Sequence, residues 1–325
     1  MQIHLSNRGN LGNFSSFLDS IDLNDVRKLD ISMHPEWVNA HPAGLVFTAA
    51  LALMVGKDNA RVVGTVPPTA ASFARMGLFN FLQTPSPFAI DEREESGLFI
   101  PISVIKNQAD QSRFISDMIP LLHLPEEKSN VIKYVIGELV RNVLEHSQSK
   151  NGAIVAAKYY KKSNRISIGI CDTGIGIWKS MQEFWNPKTD IDAIRLALTP
   201  GITGTTRKEG GTEDNAGAGL FFIKSIAKIT RSYFVIYSGK AEYSLLKHDK
   251  RVKKYPRLYA DPLRDKHSII DEAADFPGTL VGIDISLDNN EAFDALLASI
   301  GEVYNEAIRE RKRAKFKEPK FIWKK

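Results

Sequence analysis

Two polar side chains, Glu138 and Asn142, stand four residues apart in the run 131–146. Val131, Val135, Leu139 and Val143 recur through that run at every fourth position, which predicts a helix with a buried stripe. The spacing puts the carboxylate and the amide on one helical face. Such a pair can hold a cation between protein and phosphate, and the carboxylate can polarise a water. Asp172 follows an apolar run, 165–171, and precedes glycines at 174 and 176. A lone carboxylate at a strand end can accept a hydrogen bond from an exocyclic amine. Gly174 and Gly176 let the backbone approach a flat ligand and turn sharply. Gly217 and Gly219, within Asn215-Ala-Gly-Ala-Gly-Leu220, open an apolar helix to about residue 229. Glycines there leave backbone N–H groups pointing at an anion.

The elements that must position these groups are legible around them. Residues 153–160 and 165–171, joined by Lys-Lys-Ser-Asn, read as a hairpin. Residues 280–287 read as a strand entered through Phe-Pro-Gly278-Thr279. Some 40 residues separate the Asp172 motif from Gly217. They hold a short helix at 191–198 and then a stretch, 201–211, rich in glycine and small polar residues, a lid candidate. Arg207 and Lys208 in it either reach a terminal phosphate or are solvated loop charges. Lys224 reads as a surface position ahead of one that faces phosphate, and Arg141 as a solvated or salt-bridged one pointing away from Asn142.

Taken in order, Glu138-x-x-x-Asn142, Asp172-x-Gly-x-Gly176, Gly217-x-Gly219 and Gly278-Thr279 resemble the ATP-binding motifs of the GHKL superfamily, over about residues 98–290. That group includes gyrase, the heat-shock chaperone, MutL, histidine kinases and anti-sigma serine kinases. The resemblance implies a Bergerat-type α/β sandwich that binds ATP with Mg²⁺. It implies Glu138 as general base, Asn142 as the Mg²⁺ ligand, and Asp172 as reader of the adenine amine. Gly176 would line the base pocket, Gly217 and Gly219 would cradle phosphates, and Thr279 would support the adenine contact. Histidine kinases commonly have Asn at the position of Glu138, so the glutamate points to hydrolysis or serine/threonine phosphorylation.

At 325 residues the chain is long enough for two domains. Residues 1–84 alternate strand-like and helical runs: 26–32, a buried helix at 43–55, a strand at 60–66, and a helix to about residue 76 that Thr69 can cap. Leu-Asp-Ile-Ser, then Asn39-Ala-His-Pro-Ala-Gly44-Leu, then Arg75-Met-Gly-Leu-Phe79, resemble a STAS domain. In that family a serine at the start of the helix can be phosphorylated; here Ala40, His41 and Pro42 stand there. His34 and His41 read as loop or cap histidines, Trp37 as a core or interface anchor, and His146 as a cap at a helix C-terminus. The expected organisation is therefore an N-terminal STAS-like α/β domain (1–84), a linker (85–97), a GHKL-type domain (98–290) and an amphipathic helix with a basic tail (291–325).

The single cysteine, Cys171, suits a reducing cytosol, and its place in an apolar strand predicts a buried, inert thiol. No signal peptide is evident, and the longest apolar run, about residues 43–55, is too short to span a bilayer, so a cytoplasmic protein is expected. Residues 309–325 carry nine basic and two acidic side chains, net +7, against +5 for the whole chain, which leaves about −2 for the rest. That tail fits nucleic acid, an acidic protein surface or anionic lipid, or is a solvated end. Three functions follow. One is an ATPase or nucleotide switch whose STAS-like domain docks a protein partner. The second is an anti-sigma type serine/threonine kinase, and the third a non-catalytic nucleic-acid-binding or scaffold protein acting through the tail. A histidine kinase ranks behind these, since His123 lies beside Pro125. GHKL proteins often dimerise, and no residue here decides it.

Overall fold

Asp172 and Thr279 lie opposite each other on neighbouring strands of a seven-stranded antiparallel sheet. The computed structural model describes residues 1–89, 98–204, 206, 217–247, 256–288 and 293–316. The chain is mixed α/β, with one small parallel sheet and one large antiparallel sheet. The small sheet pairs β1 (Gln2–Leu5), β2 (Leu29–Met33) and β3 (Ala60–Val63) in that order. Between them run α1 (Phe14–Leu18) and α2 (Pro42–Val55), and α3 (Ala71–Arg75) follows. The large sheet contains β4 (Phe99–Ile105), β5 (Ala153–Tyr160), β6 (Arg165–Asp172), β7 (Phe234–Gly239), β8 (Ala241–Leu245), β9 (His267–Ile270) and β10 (Phe276–Ser286). Its order is β4-β5-β6-β10-β7-β8-β9, so β10 enters between two hairpins. Pro101 lies in the edge strand β4, at a break in register between Ile100 and Ser103, where a missing N–H is tolerated.

Both faces of the large sheet are covered, and β6 shows it. Ile166, Ile168 and Ile170 face one core, while Cys171, two strand positions beyond Gly169, faces the other. The first core lies under α4 (Gln108–Arg113) and its continuation to Leu122, α5 (Glu126–Asn142), α6 (Gly176–Trp185), α7 (Asp190–Ala197), α8 (Gly219–Ile229) and α9 (Phe293–Phe316). The apolar stripe of α9 packs against α5 and α8. Phe293 meets Tyr134 at 5.8 Å between ring centroids, and Tyr304 meets Phe222 at 5.8 Å. The capping position at 289–290 and the tail beyond 316, including Phe321 and Trp323, lie outside the described residues.

The second core joins the N-terminal layer to the large sheet. α2 is apolar on every side because it lies between the two sheets, and its residues from Pro42 to Ala52 are buried. Gly169 and Gly282 are cross-strand partners beneath its first turn. A Cβ on Gly169 would sit 2.3 Å from the backbone nitrogen of Ala43, so this glycine lets helix and sheet touch. Phe47 stacks edge-on against Phe276 at 4.8 Å. His41 caps α2: its Nδ1 accepts from the Ala43 N–H at 3.0 Å, so Nε2 carries the proton toward Asp284 Oδ1 at 3.3 Å. Ser167 donates to the same carboxylate from β6.

One local expectation fails and another is narrowed. Thr69 caps no helix: its Oγ1 accepts from the Val38 N–H at 2.8 Å, which ties the loop before α2 to the turn before α3. Trp37 is 46% exposed and belongs to neither core, which removes the core half of its reading and leaves the interface half. Among the described residues no helix is long and apolar enough to cross a membrane.

Candidate functional site

A cavity of about 290 Å³ opens between the sheet, α5, α6 and the start of α8. That is near the lower end of small-molecule sites, roughly 300–1,000 Å³. Its floor is apolar, with Ile170 and Val281 from the sheet and Leu139, Ile177 and Met181 from the helices.

Asp172 stands at one end, where β6 leaves the sheet, and is 2% exposed. Its carboxylate accepts from the Gly174 N–H at 2.8 Å and from the Thr279 backbone N–H. Burial outweighs those bonds and pushes the carboxyl up to about 7. The chain turns at once into α6. Gly176 has φ +75°, and a Cβ there would lie 2.7 Å from the Pro277 carbonyl oxygen, so both conformation and space demand glycine. Gly174 passes over the Ser147 carbonyl with no room for a Cβ. Thr279, paired with Asp172, lines the same end. Ser238 fixes this corner: its hydroxyl donates to the Gly278 carbonyl at 2.8 Å and accepts from the Ile177 N–H at 3.0 Å. Sequence reasoning missed Ser238, because its role is set by strand register with Thr279 and not by any local motif.

Asn142 lines the other end, and Glu138, one turn back along α5, lies against the first turn of α8 without lining the cavity. A Cβ on Gly219 would lie 2.7 Å from Glu138 Oε2 and 3.5 Å from Asn142 Nδ2. Glycine thus keeps open the space in front of both side chains. Gly217, Ala218, Gly219 and Leu220 line the cavity, and no side chain caps this helix N-terminus. Glu138 and Asn142, four apart on α5, and the glycines at the start of α8 are therefore brought together.

The electrostatics at this end are set by Arg141, which is salt-bridged as expected but does not point away from the site. Its guanidinium bonds Glu138 Oε2 at 2.5 Å, one turn away, and lines the cavity instead of pointing elsewhere. Burial raises the Glu138 carboxyl above its usual value, against the opposing pull of Arg141. α5 ends in a five-residue π turn, Val143–Ser147, which turns His146 onto the cavity wall. Burial lowers that imidazole below its ordinary value.

Whether Mg²⁺ fits can be judged from the same atoms. The Asn142 amide is buried with Nδ2 lacking a hydrogen-bond partner, and a flip exchanges nitrogen for oxygen at that point. Among the described residues no three His, Cys, Asp or Glu side chains form a cage. One amide oxygen on the cavity wall suits a small hard cation that keeps its waters and shares phosphate oxygens. The residues fit.

The stretch after α7 is pinned where it meets α8: the Gly201 N–H donates to the Gly217 carbonyl at 3.1 Å. Arg311 of α9 donates to the Pro200 carbonyl beside it. Arg207 and Lys208 lie outside the described residues. Lys224 is not a surface residue. Its ammonium is fully buried against Asp265 Oδ2 at 2.5 Å, and Lys228, 2% exposed, bonds the other carboxylate oxygen. Cys171 is buried, and burial holds its thiol well above the ordinary value. Set against models of known protein families, the chain matches none, and no curated protein matches it.

Proposed function

We propose that this chain is a GHKL-type nucleotide-binding protein that binds ATP with Mg²⁺ and hydrolyses it. The observation that carries the reading is the polarity of one cavity. A buried carboxylate backed by the Thr279 strand closes one end, and Asn142 lines the other beside the glycine-rich start of α8, against which Glu138 packs. The apolar floor between them suits a flat heterocycle. Ionised Asp172 accepts a hydrogen bond from the exocyclic amine of adenine. The N-terminus of α8 and its dipole receive the phosphates. Glu138 takes a proton from a water as the water oxygen attacks the γ-phosphorus; the β–γ bridging P–O bond breaks and its electron pair leaves with ADP. Asn142 would hold Mg²⁺, which when bound would supply charge neutralisation on the phosphate oxygens.

The N-terminal layer, in this reading, is STAS-like and serves a protein partner. His41 stands where that family has its phosphorylatable serine, but it is 4% exposed and committed to Asp284, so the layer acts by docking and not by being phosphorylated there.

Glu138→Gln is expected to keep ATP binding and lose at least about 100-fold in turnover, the usual scale for a general base. Turnover near that of the wild type would remove Glu138 from the role. Asn142→Ala is expected to abolish the dependence of ATP affinity on Mg²⁺. Labelled γ-phosphate appearing on a protein instead of as free phosphate would move the reading to a serine/threonine kinase.

A further inference from the structure

Arg141 is the one lysine or arginine among the described residues that line the cavity. It lies on α5 between two carboxylates. Glu138 Oε2 is 2.5 Å from Nη2 one turn back, and Glu145 Oε1 is 3.9 Å from Nε one turn on. Its side chain is 45% exposed, whereas that of Glu138 is 15% exposed. The guanidinium therefore sits on the solvent side of the base, over the end of the cavity where α8 begins. A triphosphate laid along the cavity brings its last, most charged group to that end. The planar fork of Arg suits phosphate oxygens as well as it suits a carboxylate, and ion pairs on the solvent side are weak enough to be exchanged.

We propose that Arg141 reads the terminal phosphate. It exchanges Glu138 for γ-phosphate oxygens, so that the carboxylate is released to act on water only when a triphosphate, and not a diphosphate, is present. This rests on the nucleotide reading above and adds to it a source of ATP-over-ADP selectivity. The ion pair with Glu138 makes the selectivity and the availability of the base one event.

Calorimetric titration of the full chain with Mg-ATP and with Mg-ADP tests it. The proteins are wild type, Arg141→Met, Arg141→Lys, Glu138→Gln and the double variant Glu138→Gln/Arg141→Met. Arg141→Met is expected to lose about tenfold or more in ATP affinity, the scale of a charge-assisted hydrogen bond, with ADP affinity unchanged. Arg141→Lys keeps the charge without the fork and falls part of the way; it decides the matter if the methionine variant does not fold. Glu138→Gln frees the guanidinium and gains about threefold for ATP, and that gain disappears in the double variant. A purely structural Arg141 would move neither the ATP-to-ADP ratio nor this coupling. Wild-type protein that binds ATP, together with an Arg141→Met variant that keeps its ATP-to-ADP ratio, overturns the inference and leaves the nucleotide reading standing. Wild-type protein that binds neither nucleotide overturns both.

Discussion

Asp172 is the residue on which the proposed ligand chemistry turns, and its environment makes the chemistry pH-dependent. Burial lifts its carboxyl to about 7, yet an amine donor needs the ionised form. ATP affinity is therefore expected to fall about tenfold between pH 8 and pH 6, because most of the carboxyl is protonated at the lower pH. Titrations across that range check it, and Asp172→Asn should flatten the profile while weakening preference for ATP over GTP. The same shift affects stability with a definite sign. A carboxyl whose folded value lies above its unfolded value, about 3.9, stabilises the fold most below pH 4 and loses that contribution as pH rises through about 7. Asp172→Asn is expected to raise the melting temperature at pH 8, and an unchanged melting temperature there would contradict the assigned cause. Asp284 has the opposite sign. Burial opposes ionisation, but His41, Arg165 and Ser167 hold it below its ordinary value, so its contribution is present above about pH 4 and lost below.

Elements were legible in the sequence where their periodicity was local. The every-fourth-residue stripe of α5 and the two apolar runs of the β5–β6 hairpin sit where the pattern placed them, and α2 is the buried helix its composition predicts. Positions whose meaning comes from a distant partner were not legible. β1 is four residues long and recognisable only through its pairing with β2. Lys224 looks like an ordinary helix-surface lysine until Asp265, 41 residues away, is placed against it. Arg141 looked averted because sequence adjacency to Asn142 says nothing of where a long side chain bends. The Lys224–Asp265–Lys228 cluster fastens the segment after residue 256 to α8, with Lys228 over the Tyr259 ring at 4.2 Å. Removing the shared carboxylate leaves two buried ammonium groups uncompensated, and burial already lowers Lys224 below its ordinary value. Asp265→Ala is expected to cost about 3–5 kcal/mol in a denaturant titration. A cost under about 1 kcal/mol would show that the lysines reach water.

At the scale of the whole molecule, the N-terminal layer is part of the packing of the large sheet. Phe276, Leu280, Tyr237, Val235 and Cys171 on that sheet are buried in the core that α2 completes. A fragment beginning at residue 98 would expose this apolar face, so it is expected to aggregate or to lose cooperative unfolding, whereas the full chain melts cooperatively. A soluble, cooperatively folding fragment would show that the layer is an appended module. Phe47→Ala, at the centre of the same contact, is expected to destabilise the chain by about 3–5 kcal/mol. This shared core also gives a physical route between the N-terminal layer and the site: β10 carries Asp284, bonded to His41, and at its other end Thr279, opposite Asp172.

ATP binding with Mg²⁺ and its hydrolysis are proposed for one cavity. The most direct measurement is a calorimetric titration of the full chain with ATP, with and without Mg²⁺, with phosphate release followed in the same samples for wild type and Glu138→Gln. Both proteins are expected to bind ATP in a Mg²⁺-dependent way, and the wild type alone to release phosphate. Absence of ATP binding by the wild type, or equal phosphate release by the two proteins, would contradict the proposal.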